Sequence, residues 1–219
     1  AVTDVGTAVE EAGFLLSAIW VASWVGRPRP AQFGLRRPSV SLPRAALAVV
    51  VSYVAFLLIS ACWELLIKHG ASEHYLVKDV GAKSGSAGVL AACVVLCVIA
   101  PVCEEFLFRG FVFGALRNWR GAGPAAVLTG LLFGAIHIGS APVIDLVPLA
   151  VLGTMLCGLR QLTGSIYPGI ALHCLNNAAA LVVNAGWSFA AFLAILALAL
   201  ALIATLVIAA QQALRLRLL

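Results

Sequence analysis

The sequence predicts an all-α fold, a polytopic transmembrane helical bundle of about seven spans, within a range of six to eight. Three observations carry this. Of 219 residues, 63% are hydrophobic and 11% charged, with a mean hydropathy of +1.06, whereas a soluble domain is about half apolar and about a quarter charged. Apolar runs recur at lengths near the roughly 20 residues a helix needs to cross a bilayer's hydrocarbon core. The runs do not alternate polar and apolar residues, and lipid leaves only helices or closed barrels as spanning structures.

The runs fall at 12–26, 45–67, 87–116, 124–138, 143–159, 168–184 and 188–210. The second and seventh are long enough to span alone. The first, fourth, fifth and sixth are short, and need tilt, flanking residues or burial within the bundle. The third is long enough to span and then continue past the membrane surface. The long polar connection at 68–86 is expected to hold a short helix at 72–79. Its His69 and His74 read as solvated loop residues. Three segments follow: N-terminal helices and loop over 1–86, a core over 87–184, and a C-terminal helix with a basic tail over 185–219.

Charge orients the bundle. Arg27, Arg29, Arg36, Arg37 and Arg44 lie in one loop, Arg117 and Arg120 in a turn, Arg160 after the fifth run, and Arg215 and Arg217 at the C-terminus. A seven-span arrangement puts all of them on one side. Lys68, Lys78 and Lys83 fall on the other, diluted by Glu73 and Asp79. Excess Lys and Arg marks the cytoplasmic side, so loop 27–44 and the C-terminus are expected there. The Ala- and Leu-rich, Arg-biased composition points to a bacterial cytoplasmic membrane. The net charge of +5 sits in short loops between apolar runs, so the expected contact is membrane lipid, with no nucleic acid. Cys62, Cys93, Cys97, Cys103, Cys157 and Cys174 lie in or beside apolar runs, contain no C-x-x-C pair, and read as small buried hydrophobes without disulfides.

The chemistry lies in ionisable residues placed in apolar runs. "EEFLFRG" carries Glu104, Glu105 and Arg109. A charge near the bilayer centre costs about 2.5–3.5 kcal/mol on insertion scales, so each one needs a partner, a proton or water. Glu105 and Arg109 stand at i, i+4 in the better ion-pair order. Glu104 is rotated about 100° away and has no local partner. "FGAIH" spaces Phe133 and His137 one helical turn apart, and "HCLNN" does the same for His173 and Asn177. Asn176 is the rival to Asn177 but is not a turn from His173. If these helices pack together, Glu104, His137, His173 and Asn177 converge on one wet pocket. One carboxylate and two imidazoles can activate water as a general base with helpers or as metal ligands. The bland readings are an ion pair that fixes packing for Glu105 and Arg109, cross-helix hydrogen bonds for the histidines, packing for Phe133, and interfacial positions for Glu64 and Asp145.

The three motifs in this order resemble those of the CAAX protease and bacteriocin-processing (CPBP, or ABI) family of intramembrane proteases, the type II CAAX prenyl endopeptidase group. "EEFLFRG" matches E-E-x-x-x-R-G, "FGAIH" matches F-x-x-x-H, and "SIYPGIALHCLNN" resembles the third motif, in which a lead-in with small residues and Pro precedes H-x-x-x-N. The resemblance covers about 87–184. It implies an all-helical hydrolase with its catalytic pocket toward the cytoplasmic side, acting on a membrane-associated peptide or protein. Glu104 would be the general base, aided by His137. His173 and Asn177 would stabilise the oxyanion, and Glu105 and Arg109 would hold the helix and tune Glu104. It leaves the metal open: Zn²⁺ or another divalent ion on Glu104, His137 and His173, or none in a glutamate-type mechanism. H-E-x-x-H is absent. A prenylated substrate is not expected of a bacterial member. Two other classes remain, an ion- or proton-coupled transporter and a non-catalytic immunity or binding membrane protein. Inverted repeats would favour the first, and none is visible. A degraded motif would favour the second, and the motifs are intact.

Overall fold

The computed structural model describes residues 2–25, 29–67 and 86–216. The expected helix at 72–79, the lysines of that connection, Arg27 and Arg217 lie outside the described residues. Seven helices and no extended strand are present among the described residues. They are α1 (Val2–Val25), α2 (Leu42–Ile67), α3 (86–120), α4 (Ala122–Ala135), α5 (Leu146–Thr163), α6 (Tyr167–Ala185) and α7 (Phe189–Leu216). They match the seven apolar runs in order. Four stretches, in α2, α3, α5 with its preceding turn, and α7, are long and apolar enough to cross a membrane. The chain is an integral membrane protein of all-α class.

The third run forms the central helix. In α3, 56% of the most apolar stretch is buried, against 11% in α2 and in α7. The outer helices turn Leu47, Val50, Val54 and Leu58 of α2, and Leu193, Leu202 and Leu206 of α7, outward. Lipid tails make that arrangement inexpensive. The helix α4 has 14 residues and so rises about 21 Å, short of the roughly 30 Å hydrocarbon core. It lies instead tightly on α5. A β-carbon at Gly130 would stand 2.6 Å from Ala150 O, and one at Gly153 would stand 2.9 Å from Gly130 Cα. Small residues let the two backbones touch, and dispersion and shape complementarity drive such packing where lipid removes the hydrophobic difference.

Two π-helical stretches interrupt α3, at Val95–Ile99 and Phe106–Val112. In each, an N–H reaches five residues back: Ala100 to Val95 O and Phe113 to Phe108 O. Pro101 gives the first a cause, because it lacks an N–H and its ring crowds the carbonyl four residues earlier. The segment Ala100–Glu105 between them is regular α-helix. It carries both glutamates. Such π turns recur at functional sites in helices.

The loop after α1 folds back across one end of the bundle. Its short 3₁₀ turn, Pro30–Phe33, stacks Phe33 on Phe106 at 4.6 Å. Ile166 N–H donates to Gly34 O at 3.1 Å and Ser39 N–H to Thr163 O at 2.8 Å. The loop therefore lies on the α5–α6 turn, with the α3 C-terminus beside it, where Arg117 donates to Gln161 Oε1 at 3.3 Å. The basic loops that charge counting placed on one side do meet at one end. All six cysteines are free; Cys97, Cys103, Cys157 and Cys174 are buried, Cys93 is half-buried, and Cys62 is exposed on α2. Burial thus holds for four of them in full.

Candidate active site

The regular turn between the π stretches presents Glu104 and Glu105 side by side, and one imidazole from α6 meets both. His173 Nδ1 lies 3.2 Å from Glu105 Oε1, and His173 Nε2 lies 3.9 Å from Glu104 Oε2. Because a carboxylate only accepts, the Nδ1 contact is an N–H donated to Glu105. Glu105 thereby orients the ring and turns Nε2 toward Glu104, the role a second carboxylate plays beside a working histidine. The expected pair also forms: Arg109 Nη1 stands 2.9 Å from Glu105 Oε1 with both side chains fully buried. Its N–H is not aligned on the oxygen, so the contact is ionic rather than a directed hydrogen bond. The guanidinium is fixed elsewhere. Nη2 donates to Gly153 O at 3.0 Å, and its plane sits 4.4 Å from the Phe133 ring centre.

Phe133 is the packing hub of the site. Its fully buried ring touches Arg109, Phe108, His137 and His173, with ring centres 5.2 Å and 5.5 Å from the two imidazoles. His137 lies just past the end of α4 rather than inside it. The i, i+4 spacing still acts: His137 Nδ1 donates to Phe133 O at 2.8 Å. In the neutral ring, this makes Nε2 the acceptor atom. Asn177 donates through Nδ2 to Leu96 O at 2.9 Å, which ties α6 to the first π stretch of α3 and leaves a second amide N–H. In the lead-in to His173, Gly169 has no β-carbon, and one built there would stand 2.8 Å from Glu105 Oε2.

Glu104, His137, His173 and Asn177 all line one cavity of about 340 Å³, and Asn176 lines it as well. The structure thus brings the predicted set together. It adds Glu11 of α1, which is 4% exposed, lines the same cavity and interacts with the Glu104 carboxyl. The first apolar run begins after Glu11, so the sequence reading leaves this residue out. The spacing Glu11, Leu15, Ala18, Ala22 is one helical face, and its apolar members pack beneath Phe33 and Phe106. That stripe was the available signal.

One expectation changes. Glu64 and Asp145, read as interfacial, stand at helix ends and also line the cavity, together with Glu10 and Ser60. The cavity also occupies the half of the bundle away from the basic loops. Its walls come from the N-terminal part of α1, the C-terminal parts of α2, α4 and α6, and the N-terminal part of α5, whereas the basic loops join the other ends. A cytoplasmic pocket and cytoplasmic basic loops would coincide, and the structure separates them.

Glu104, His137 and His173, the residues expected to hold a metal, line one cavity, and each imidazole spends Nδ1 on the protein and keeps Nε2 as a ligand atom. Among the described residues, no three His, Cys, Asp or Glu side chains are close enough together to form a ligand set. No step below runs through a metal.

A carboxyl beside an oriented imidazole, in a cavity enclosed by membrane helices, is an arrangement that can activate water. Residues 86–179 match the family model described as type II CAAX prenyl endopeptidase, Rce1-like. Through this segment, which spans all three motifs, the chain is similar to the Rce1-like family. A protein of Escherichia coli described as an uncharacterized 24.3 kDa protein is 28% identical over 166 residues, covering 73% of this chain and 69% of that protein. The UPF0177 protein YxdF of Lactococcus lactis subsp. lactis (strain IL1403) is 29% identical over 70 residues, 29% of this chain and 38% of that protein. No solved structure matches.

Proposed function

We propose that this protein cleaves a peptide bond in a membrane-associated peptide or protein, with Glu104 activating the attacking water. The observation that carries the reading is the Glu105–His173–Glu104 line, at 3.2 Å and 3.9 Å. Water in the cavity gives a proton to Glu104, helped by His137 across the pocket. Its oxygen bonds to the scissile carbonyl carbon and the carbonyl oxygen takes up the electron pair. The second amide N–H of Asn177 and His173 as an imidazolium, with Nε2–H as the donor, face that oxyanion, the place where fixed dipoles do most in acyl transfer. As the C–N bond breaks, the Glu104 proton passes to the leaving amine. Glu105 and Arg109 position His173 rather than touch substrate. The basic end faces the cytoplasm under the positive-inside rule, which puts the cavity in the outer half of the membrane.

The test compares wild type with Glu104→Gln, equally folded in detergent, against a quenched library of membrane-partitioning peptides. General-base loss should lower kcat by about 10²–10⁴. Equal cleavage by the variant would remove Glu104 from the chemistry. Cleavage is expected to persist in chelator; loss restored by zinc would replace the glutamate-type mechanism with a metal one.

A further inference from the structure

We propose a binding site for a phosphate group at the end of the bundle opposite the catalytic cavity, filled in the membrane by the phosphodiester of an anionic lipid. A second cavity, of about 620 Å³, opens there between the loop after α1, the C-terminal end of α3 and the α5–α6 turn. Arg36, Arg117 and Arg160 line it, one from each segment, and no acidic residue among the described ones does. Arg160 is 5% exposed, its Nε has no hydrogen-bond partner, and the charges acting on it come from Arg36 and Arg117. A buried guanidinium facing two others is unfavourable until an anion joins them. Three forks of N–H donors suit a tetrahedral oxyanion.

The backbone builds this arrangement at a cost. Gly34 and Gly164 both hold the left-handed conformation, with φ of 74° and 65°. A β-carbon on Gly34 would stand 2.5 Å from Arg160 Nε, and one on Gly164 would stand 2.5 Å from Arg36 Nη2. Arg36 Nε donates to Gly164 O at 2.8 Å, which holds its fork at the cavity. Ser39, Gln32, Asn118 and Gln161 add polar wall. The cavity lies at the polar end of α3 and α5, where a lipid headgroup resides, and basic pockets between transmembrane helices are suited to such headgroups. Bound there, a phosphate joins three segments that lie far apart in the chain.

Native mass spectrometry and thermal unfolding, on the purified full chain in neutral detergent, test this. Phosphatidylglycerol should bind at least tenfold more tightly than phosphatidylcholine and raise Tm. Arg36→Gln and Arg117→Gln, both outside the core, should each reduce that preference about tenfold. Arg120→Gln, a basic change at the same end but outside the cavity with Arg120 lying over Trp119, should keep it. A fatty acid of equal charge should bind less well than phosphatidylglycerol. Millimolar inorganic phosphate that reproduces the full shift, with no added effect of lipid, assigns the site to a soluble phosphate and overturns the lipid occupant. Equal binding of both phospholipids, or equal loss in Arg120→Gln, overturns the site itself.

Discussion

Glu105 serves two partners through one oxygen, the Arg109 guanidinium and His173 Nδ1. Its burial makes both essential. Replacing Arg109 with Met leaves a carboxyl without its cation at full burial, which should cost about 3–5 kcal/mol and appear as a lowered Tm in detergent. Arg109→Lys should fall between Met and wild type, because an ammonium keeps the charge but cannot hold both Gly153 O and the Phe133 face. Glu11 makes a separate prediction. Glu11→Ala removes the carboxyl that interacts with Glu104 and should lower kcat about tenfold, the equivalent of about 1.4 kcal/mol. An unchanged kcat would make Glu11 cavity wall only.

Helix register and close packing place these groups. The two π stretches flank the glutamates, so a wheel drawn at 3.6 residues per turn drifts across them, although the one-turn pair of Glu105 and Arg109 still forms. Within Ala100–Glu105, it holds, and the 100° between neighbours is the angle that lets one imidazole reach both carboxyls. The α4–α5 contact depends on absent side chains. Gly130→Val would press against Ala150 O and Thr154, and overpacking of this kind costs about 1–3 kcal/mol; unfolding midpoints would show it. Gly169→Ala should act on catalysis. Its methyl would displace Glu105 Oε2, and a shift of about 1 Å at a positioned group can cost about 10²-fold in rate. The expected result is a large fall in kcat with a native circular dichroism spectrum. Retained kcat would show that Glu105 can move without disturbing His173.

At the scale of the whole molecule the protein has two unlike ends. One collects Arg36, Arg117 and Arg160, and the other holds the cavity of Glu104 and His173, with Glu10, Glu64 and Asp145 along its walls. Membrane-impermeant thiol reagents can check this in sealed vesicles, in a background where Cys62 is replaced. Ser39→Cys should label from the cytoplasmic side and Ser140→Cys, on the cavity, from the other. Labelling of both from one side would overturn the separation.

Composition and local spacing were enough for the all-α membrane class and the helices, and they pointed to residues that the structure brings into one cavity. Lipid forbids unpaired backbone, so long apolar runs could only become helices, and charges placed in oil at one-turn spacings had to find partners. The Glu105–Arg109 pair and the His137–Phe133 hydrogen bond are local and were legible for that reason. "GLLFG", residues 130–134, carried a small-residue packing signal for α4 that composition alone obscured. The other contacts join residues far apart in the chain. Glu11 reaches Glu104, His173 spans Glu104 and Glu105, Gly153 O takes Arg109, and the three arginines share a cavity only because α1, α3, α5 and α6 pack as they do. No one-dimensional period contains those distances, since they depend on which helix faces meet, and the faces were reset by two π turns and by glycines whose missing side chains set how closely helices approach.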